Sequence, residues 1–540
     1  MYVEEIKHTR NGKTYSTVLV RESYRDGKKI LHRTISNISN LPRNCIQQIK
    51  NTLKGNNTHK VSVENLIVSS SREYGASKAL TDLAKDVGLD KMIYSKTVKW
   101  SQNALAMIAG RILYPGSKLS LTNIYLDTVL WELCGHKPNF QPDVNEDCYE
   151  SMDELLKRQK SIQKQLANKH LNNGCIVLYD ITSTYFEGEY ENSDLVKFGY
   201  SRDCKKGHEQ VNIGLLTNME GCPIAVETFA GNTQDQVTVK GQIEKLVNDY
   251  KVKDVVFVGD RGMLTPKRIE EVNKEGYKTI TALTHAQMQE LVSTGVITIS
   301  LFKINEYPEV RDPNNSEVRY VLCLNPKRQK IDCQTRINLI NATILQLDKI
   351  KNTKRKYTKE KIGARAGKIW AKYGTEKYFE WSVVNDKLEY NLKQEIIDKE
   401  KRIDGCYVIR TDAAAETFSS KDVYKAYKKL IHVEQAFRVI KTHSLEIRPV
   451  FHHLDHRIQS HIFLCMLSYH LQWHMNQRLF DVYQNDGTGQ HRRWTFLQVI
   501  ERLKSIRSQT VQIGGIDLPN VISTPDKEQK MLLDALRLKL

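Results

Sequence analysis

The chain lacks paired cysteines. Its ten Cys are scattered, and no two stand as Cys-x-x-Cys. A disulfide framework or zinc ribbon is not expected, and reduced thiols in a cytoplasm are. Long apolar runs are missing too. The longest, residues 462–471, is broken by Ser468 and His470 and is too short to span a bilayer. The first residues, MYVEEIKHTRNGKTY, carry no signal-peptide core. Acidic residues are in deficit: 63 against 81 Lys and Arg, a net charge of +18. That excess implies a polyanionic partner. No lipidation motif or basic amphipathic anchor favours a membrane surface instead.

At 540 residues the chain exceeds one core, so several domains are expected. Residues 1–62 read as a small β-rich region. Strands are predicted at 14–21 and 29–36, with a turn at 25–27 and a polar linker near 51–60. Residues 63–172 read as helical, ending in one long charged helix over 149–170. This region is either a packing domain or a module gripping DNA ends. Residues 173–284 alternate: strands at 175–179, 211–217, 223–229, 254–258 and 278–283, with helices at 235–250 and 265–276. Hairpins feeding a β–α alternation argue for an α/β fold with a mixed sheet and flanking helices. Residues 285–405 have mixed periodicity and high charge and read as an insertion. Within it, residues 351–372 hold nine basic residues and one acid, interleaved with Ala364, Ala366, Ile369, Trp370 and Tyr373. This run is either a solvated face or a DNA-facing one. Residues 406–480 resume with a strand at 406–411, a helix over 423–441 and a strongly apolar helix. A helical tail is expected over 481–540.

Three acids stand out. Asp180 and Asp260 each end an apolar strand, in LYD and VVFVGD. Glu434 falls on a stripe of three- and four-residue steps with Val423, Tyr427, Leu430, Phe437 and Lys441. Neighbouring strand ends lie about 5 Å apart. A helix packed on the sheet can bring Glu434 over the same edge. Three gathered carboxylates repel unless a cation neutralises them, and oxygen ligands favour Mg²⁺ or Mn²⁺. Each acid also has a plain structural reading: a cap or turn for the two Asp, a salt bridge to Lys441 or Arg438 for Glu434. Glu227, Asp235 and Glu446 lack part of the pattern. His452, His453, His456 and His461 invite a zinc reading, but no Cys or acid stands at ligand spacing. Phosphate contact or placement on a helix surface is expected of them.

The stretches LYDITSTYFEG (178–188), GYSRD (199–203), VVFVGDRGM (255–263) and residues 427–467 resemble, in this order, the DDE transposases of bacterial insertion sequences. The branch is the one whose catalytic Glu lies in a Tyr-x2-Arg-x3-Glu-x6-Lys signature. The resemblance implies a ribonuclease H-like core with a large insertion domain, and Asp180, Asp260 and Glu434 as catalytic, metal-binding acids. Tyr427 and Lys441 match signature positions, while Leu430 stands where the signature has Arg. Arg438, one turn beyond Glu434, is a candidate replacement for that cation. Arg202, Arg261, Arg448 and Arg457 are further candidates along the DNA path. The implied partners are the terminal inverted repeats and target DNA, held by a homodimer. The implied reaction is Mg²⁺- or Mn²⁺-dependent end cleavage and strand transfer in the bacterial cytoplasm, at the nucleoid. An inactive DNA-binding relative and a nuclease without strand transfer are the alternatives.

Overall fold

The computed structural model describes residues 1–10, 13–26, 29–54, 66–203, 205–353, 355, 357–484, 494–513 and 516–539. Gly27 of the expected 25–27 turn, residues 55–60 of the linker, Cys204, Lys354, Lys356 and residues 485–487 of the tail lie outside these. The chain divides into two units: residues 1–71 with 509–521, and residues 72–508 with 522–540.

In the first unit, β1 (Tyr2–Arg10), β2 (Lys13–Asp26) and β3 (Lys29–Asn37) form an antiparallel meander, followed by a helix at Arg43–Leu53. β1 was not legible as a strand. It pairs with β2 from Tyr2↔Arg21 to Arg10↔Lys13, supported by Arg21 on Glu4 and Ser16 on Glu5. β4 (Leu66–Glu73) follows.

The second unit is built on one mixed sheet. Its strands are β5 (Ile176–Tyr185), β6 (Gln210–Asn218), β7 (Pro223–Ala230), β8 (Val256–Gly259), β9 (Lys278–Ala282), β10 (Glu309–Arg311) and β11 (Arg319–Leu324). A separate hairpin, β12 (Phe379–Val384) with β13 (Lys387–Leu392), precedes the last sheet strand, β14 (Cys406–Thr411). The order across the sheet is β10-β11-β14-β9-β8-β5-β6-β7. β5, β6 and β7 are antiparallel neighbours, while β8 and β9 run parallel to β5. This half of the sheet is ribonuclease H-like, as the resemblance implied.

Both faces are covered, so the central strands are apolar on both sides. Val177, Tyr179, Ile181 and Phe257 point to one face, into a core shared with Val239, Leu246, Ile269 and Val272 of the flanking helices. Leu178, Val256 and Val258 point to the other. There they meet Val433, Ala436, Phe437 and Ile440 and the helix Asp455–Arg478.

The helices of 75–170 do not form a separate domain. Leu80, Leu83, Met107, Ile108 and Leu155 bury against Asp455–Arg478, which is apolar on nearly every side for that reason. Its polar interruptions are satisfied inside the protein. Ser460 donates to the Met152 carbonyl at 2.6 Å and Ser468 to that of Ile108 at 3.0 Å. Among the described residues, no helix is long and apolar enough to cross a membrane. The helix expected over 149–170 is broken at Arg158 into Glu150–Lys157 and Gln159–His170. There the Arg158 guanidinium lies over Tyr94, 4.2 Å from the ring centre.

The insertion is smaller than 285–405. β10 and β11 belong to the main sheet, and β14 pairs with both β11 and β9. Leu324↔Cys406 ends the β11–β14 ladder, so the insertion is in effect a long hairpin loop leaving and rejoining the sheet at one point. Closing a long loop between adjacent ends costs little more than closing a short one. The insertion has its own core, where Leu347, Ile362, Ala366, Trp370 and Phe379 bury together. Ala366 and Trp370 therefore face inward, while Lys361, Arg365, Lys368 and Lys372 stay exposed.

The tail is not wholly helical. β15 (Arg507–Ile513) and β16 (Ile516–Ile522) form a sheet in the order β16-β15-β4. Thr510, Val511, Ile513, Val521 and Ile522 give these segments strand propensity.

Trp370→Ala removes the largest buried ring of the insertion core and should destabilise that module by about 3–5 kcal/mol. Hydrogen exchange should speed up across 326–402 while β5 and β8 stay protected. Uniform loss of protection in both would show that the insertion is not a separate cooperative unit.

Candidate active site

The register of two strands sets the site. β5 and β8 pair in parallel from Ile176↔Val256 to Tyr179↔Gly259. One residue past the last pair come Asp180 and Asp260, side by side at the edge where β8 stops. β5 does not stop with it. The strand runs to Tyr185, paired with β6 throughout, so Asp180 lies mid-strand opposite Leu215. The expectation that Asp180 ends its strand is corrected: the hydroxyl-rich segment Thr182–Thr184 is not a loop but buried β-structure. Alternation puts Asp180 on the face of Leu178, the face that carries the Glu434 helix.

The helix expected over 423–441 is also divided. Ser420–Lys428 is followed by a tight turn, with Leu430 N–H on the Tyr427 carbonyl and His432 N–H on that of Lys429. The helix Ile431–Arg438 then leads into a wider turn, Val439–His443. The buried face is Val423, Ala426, Val433, Ala436, Phe437 and Ile440; it shares Val423 and Phe437 with the expected stripe and takes Ala426, Val433, Ala436 and Ile440 in place of Tyr427, Leu430, Glu434 and Lys441. Tyr427, Glu434 and Lys441, seven residues apart, run along the border of that face. Tyr427 and Lys441 are half-buried and Glu434 is exposed. Asp260 is exposed as well.

The three acids feel one another. Burial pushes the Asp180 carboxyl up to about 7, and the negative charges of Asp260 and Glu434 push it the same way. A hydrogen bond from the Ile181 N–H, at 2.7 Å, opposes the shift without cancelling it. Tyr427 is raised to about 12 by burial, with Asp260 and Glu434 adding to it and Arg261 opposing. Asp260, Arg261, Tyr427 and Glu434 thus share one neighbourhood with Asp180. An all-carboxylate donor set whose Asp180 is pushed toward protonation by burial and by its acidic neighbours fits a hard divalent cation.

A cationic cluster adjoins the acids. Lys441 Nζ donates to Thr182 Oγ1 and to Asp203 Oδ1, each at 2.8 Å. Arg448 donates to the other Asp203 oxygen at 3.0 Å and lies over the Tyr185 ring, 4.7 Å from its centre. The Arg202 backbone N–H donates to Ser183 Oγ at 3.1 Å, and its guanidinium pairs with Asp235. Asp203 therefore orients two cations beside β5. Sequence reasoning quoted its motif but assigned it no role, because its partners lie some 240 residues away.

The other candidates are placed differently. Arg438 is exposed at the last turn of the Glu434 helix. Arg457 is drawn to Asp153 at 3.5 Å and to the Tyr149 ring, so its partners are in the helical region. The histidines at 452–461 face different partners, although the His452 and His461 rings lie 5.4 Å apart. His461 bridges Lys118 and the Ile447 carbonyl, His453 stacks on Tyr190 and His456 faces Asp153.

A mixed sheet of this order, with Asp180 and Asp260 one residue past the last β5–β8 pair, is a ribonuclease H-like arrangement. The family models make that specific. Residues 173–471 match "Transposase DDE domain" and residues 3–65 match "IS1634 family transposase, N-terminal domain". The first match spans more than half of the chain, which belongs to the DDE transposases, enzymes that cleave and move DNA. None of the curated proteins matches the chain. Among solved structures, a piggyBac transposase synaptic complex with hairpin DNA aligns over 80% of this chain and 76% of its own, at 8% identity and a TM-score of 0.34. A Mos1 transposase paired-end complex aligns over 44% and 68%, at 13% identity and a TM-score of 0.14. Scores this low add nothing to the assignment.

The Asp180 shift has a sign that can be tested. Its folded value lies above that of an unfolded Asp, about 3.9, so the native state holds the extra proton. Metal-free protein should lose stability as pH rises from about 4 to about 7. Denaturant titrations across that range should show this part of the loss disappear in Asp180→Asn and shrink in Asp260→Asn. An unchanged pH profile in both would separate Asp180 from its neighbours.

Proposed function

We propose that this chain is the transposase of a bacterial insertion sequence. It binds the terminal inverted repeats, hydrolyses the phosphodiester at the element's ends, and joins the freed 3′-hydroxyl to target DNA. The observation that carries the reading is the β5–β8 register, which sets Asp180 beside Asp260 under the Glu434 helix. Asp180, Asp260 and Glu434 would hold divalent ions, Mg²⁺ or Mn²⁺. When bound, such ions activate a water or a 3′-hydroxyl and stabilise the leaving oxygen.

The chain's own side chains supply the rest. Lys441 and Arg448 offer positive charge to a phosphate beside the scissile bond, and Asp203 fixes their direction. The half-buried ring of Tyr427 offers a wall next to Asp260 for a sugar or a displaced base. Arg202, Arg261 and Arg438 extend the positive path. The exposed Lys361, Arg365, Lys368 and Lys372 of the insertion face add non-specific phosphate contacts. Two ends must meet, so a homodimer on DNA is the working assembly. The net charge of +18 suits a protein acting at the nucleoid in the cytoplasm.

Purified protein, Mg²⁺ and linear DNA carrying the repeats that flank the gene test this reading. The wild type should cut at the ends and join them to a second DNA. Asp180→Ala, Asp260→Ala and Glu434→Ala should each lower cleavage by about a thousandfold or more while still binding the ends. Cleavage persisting in any one removes that acid from the site, and cutting without joining makes the protein a nuclease.

End binding should also weaken steeply between about 50 and 200 mM salt as phosphate contacts release counterions. Reversing charge at Lys361, Arg365, Lys368 and Lys372 together should flatten that slope. An unaltered slope would leave the insertion face off the DNA.

A further inference from the structure

Away from the carboxylate edge, four side chains from three elements converge in the protein interior. His170 is the last residue of the helix Gln159–His170. Cys222 closes the turn between β6 and β7. His470 and His474 are one helical turn apart on Asp455–Arg478. One ligand atom from each lies within 4.8 Å of all the others. Cys222 and His470 are fully buried, and His170 and His474 are partly so.

Hydrogen bonding accounts for the cluster only in part. Cys222 Sγ lies 3.5 Å from His470 Nδ1. The Nε2 atoms of His170, His470 and His474 are buried, and none has a partner among the described residues. The rings crowd together, with His170–His470 centroids at 5.3 Å, His170–His474 at 5.4 Å and His470–His474 at 4.6 Å. Three buried imidazoles with unused nitrogens are costly unless something accepts them.

We propose that His170, Cys222, His470 and His474 form a structural zinc site. Three imidazoles and one thiolate are a tetrahedral donor set of zinc type. Bond lengths of about 2.1 Å to nitrogen and 2.3 Å to sulfur would draw the ligand atoms in by about 1 Å from their present spacing. Binding converts the Cys222 thiol to thiolate and releases one proton to solvent. The nine described cysteines are free, so a metal staple takes the place a disulfide cannot fill in a reducing compartment.

The staple would reach the carboxylate edge through one turn. Asn218 Oδ1 accepts from the N–H groups of Glu220 and Cys222, and Trp473 Nε1 donates to the Glu220 carbonyl. Gly221, at φ 82°, lies so close to His432 that a Cβ there would stand 2.7 Å from the His432 Cβ. His432 is two residues from Glu434. Fixing Cys222 thus fixes the turn on which the Glu434 helix rests.

Full-length protein, expressed with added zinc and passed through gel filtration, should retain about one zinc per chain by elemental analysis. Chelation should lower Tm, and zinc should restore it. Cys222→Ser and His474→Gln should each lose most of the metal, whereas Asp180→Asn/Asp260→Asn/Glu434→Gln should keep it. Should either single variant fail to fold, cobalt-substituted wild type decides: a near-ultraviolet thiolate-to-cobalt band is expected. Wild type with less than about a tenth of an equivalent and no zinc-dependent Tm would overturn the site, as would full zinc in both single variants, or cobalt binding without the thiolate band.

Discussion

A carboxylate held at a sheet edge against two others is the constraint around which this protein is arranged. Asp180 is mid-strand, desolvated by the helices on its face and pushed toward protonation by Asp260 and Glu434. An isolated buried charge of this kind costs several kcal/mol unless it is compensated. Arg202 offsets that charge only in part, and two other cations beside β5, Lys441 and Arg448, are turned to Asp203. A divalent ion held by Asp180, Asp260 and Glu434 would relieve the repulsion and, in the proposed reaction, would supply the chemistry of phosphodiester cleavage.

The rest of the second unit serves that edge. β8 is short and stops at Gly259, so Asp260 follows directly on its last pair with β5. The helix Asp455–Arg478 gives the Glu434 helix and the helices of 75–170 a common core, so the Glu434 helix is braced from behind. The insertion departs and returns between two paired strands at the far side of the sheet and keeps its own core. A large basic module is thereby added without disturbing the register that places the acids. The proposed zinc site braces the β6–β7 turn from the opposite direction.

Much of this was legible in the sequence, and for identifiable reasons. Apolar runs ending in Asp180 and Asp260 are short-range patterns, and parallel register follows when such strands are neighbours. The divided core was legible because strands resume at Cys406 after a long charged interval. Other features were not. β5 continues past Asp180 because β6 supplies a partner for Thr182–Thr184, which a local polar pattern does not reveal. The stripe through Glu434 was partly misplaced because Tyr427 and Leu430 are apolar, yet the tight turn at Lys429–Leu430 leaves Val433 and Ala436 packed beside Phe437. Asp203 and the His170–Cys222–His470–His474 cluster depend on contacts spanning more than 200 residues, for which no spacing rule exists.

The central claim is that Asp180, Asp260 and Glu434 bind the catalytic ion together. Anomalous diffraction from crystals soaked in Mn²⁺ tests it most directly. The account predicts a manganese peak between the carboxylates of Asp180 and Asp260, within coordination reach of Glu434 and lost in Asp180→Asn. A crystal with Mn²⁺ bound elsewhere and none between Asp180 and Asp260, from protein that cleaves its ends in the same buffer, would contradict it.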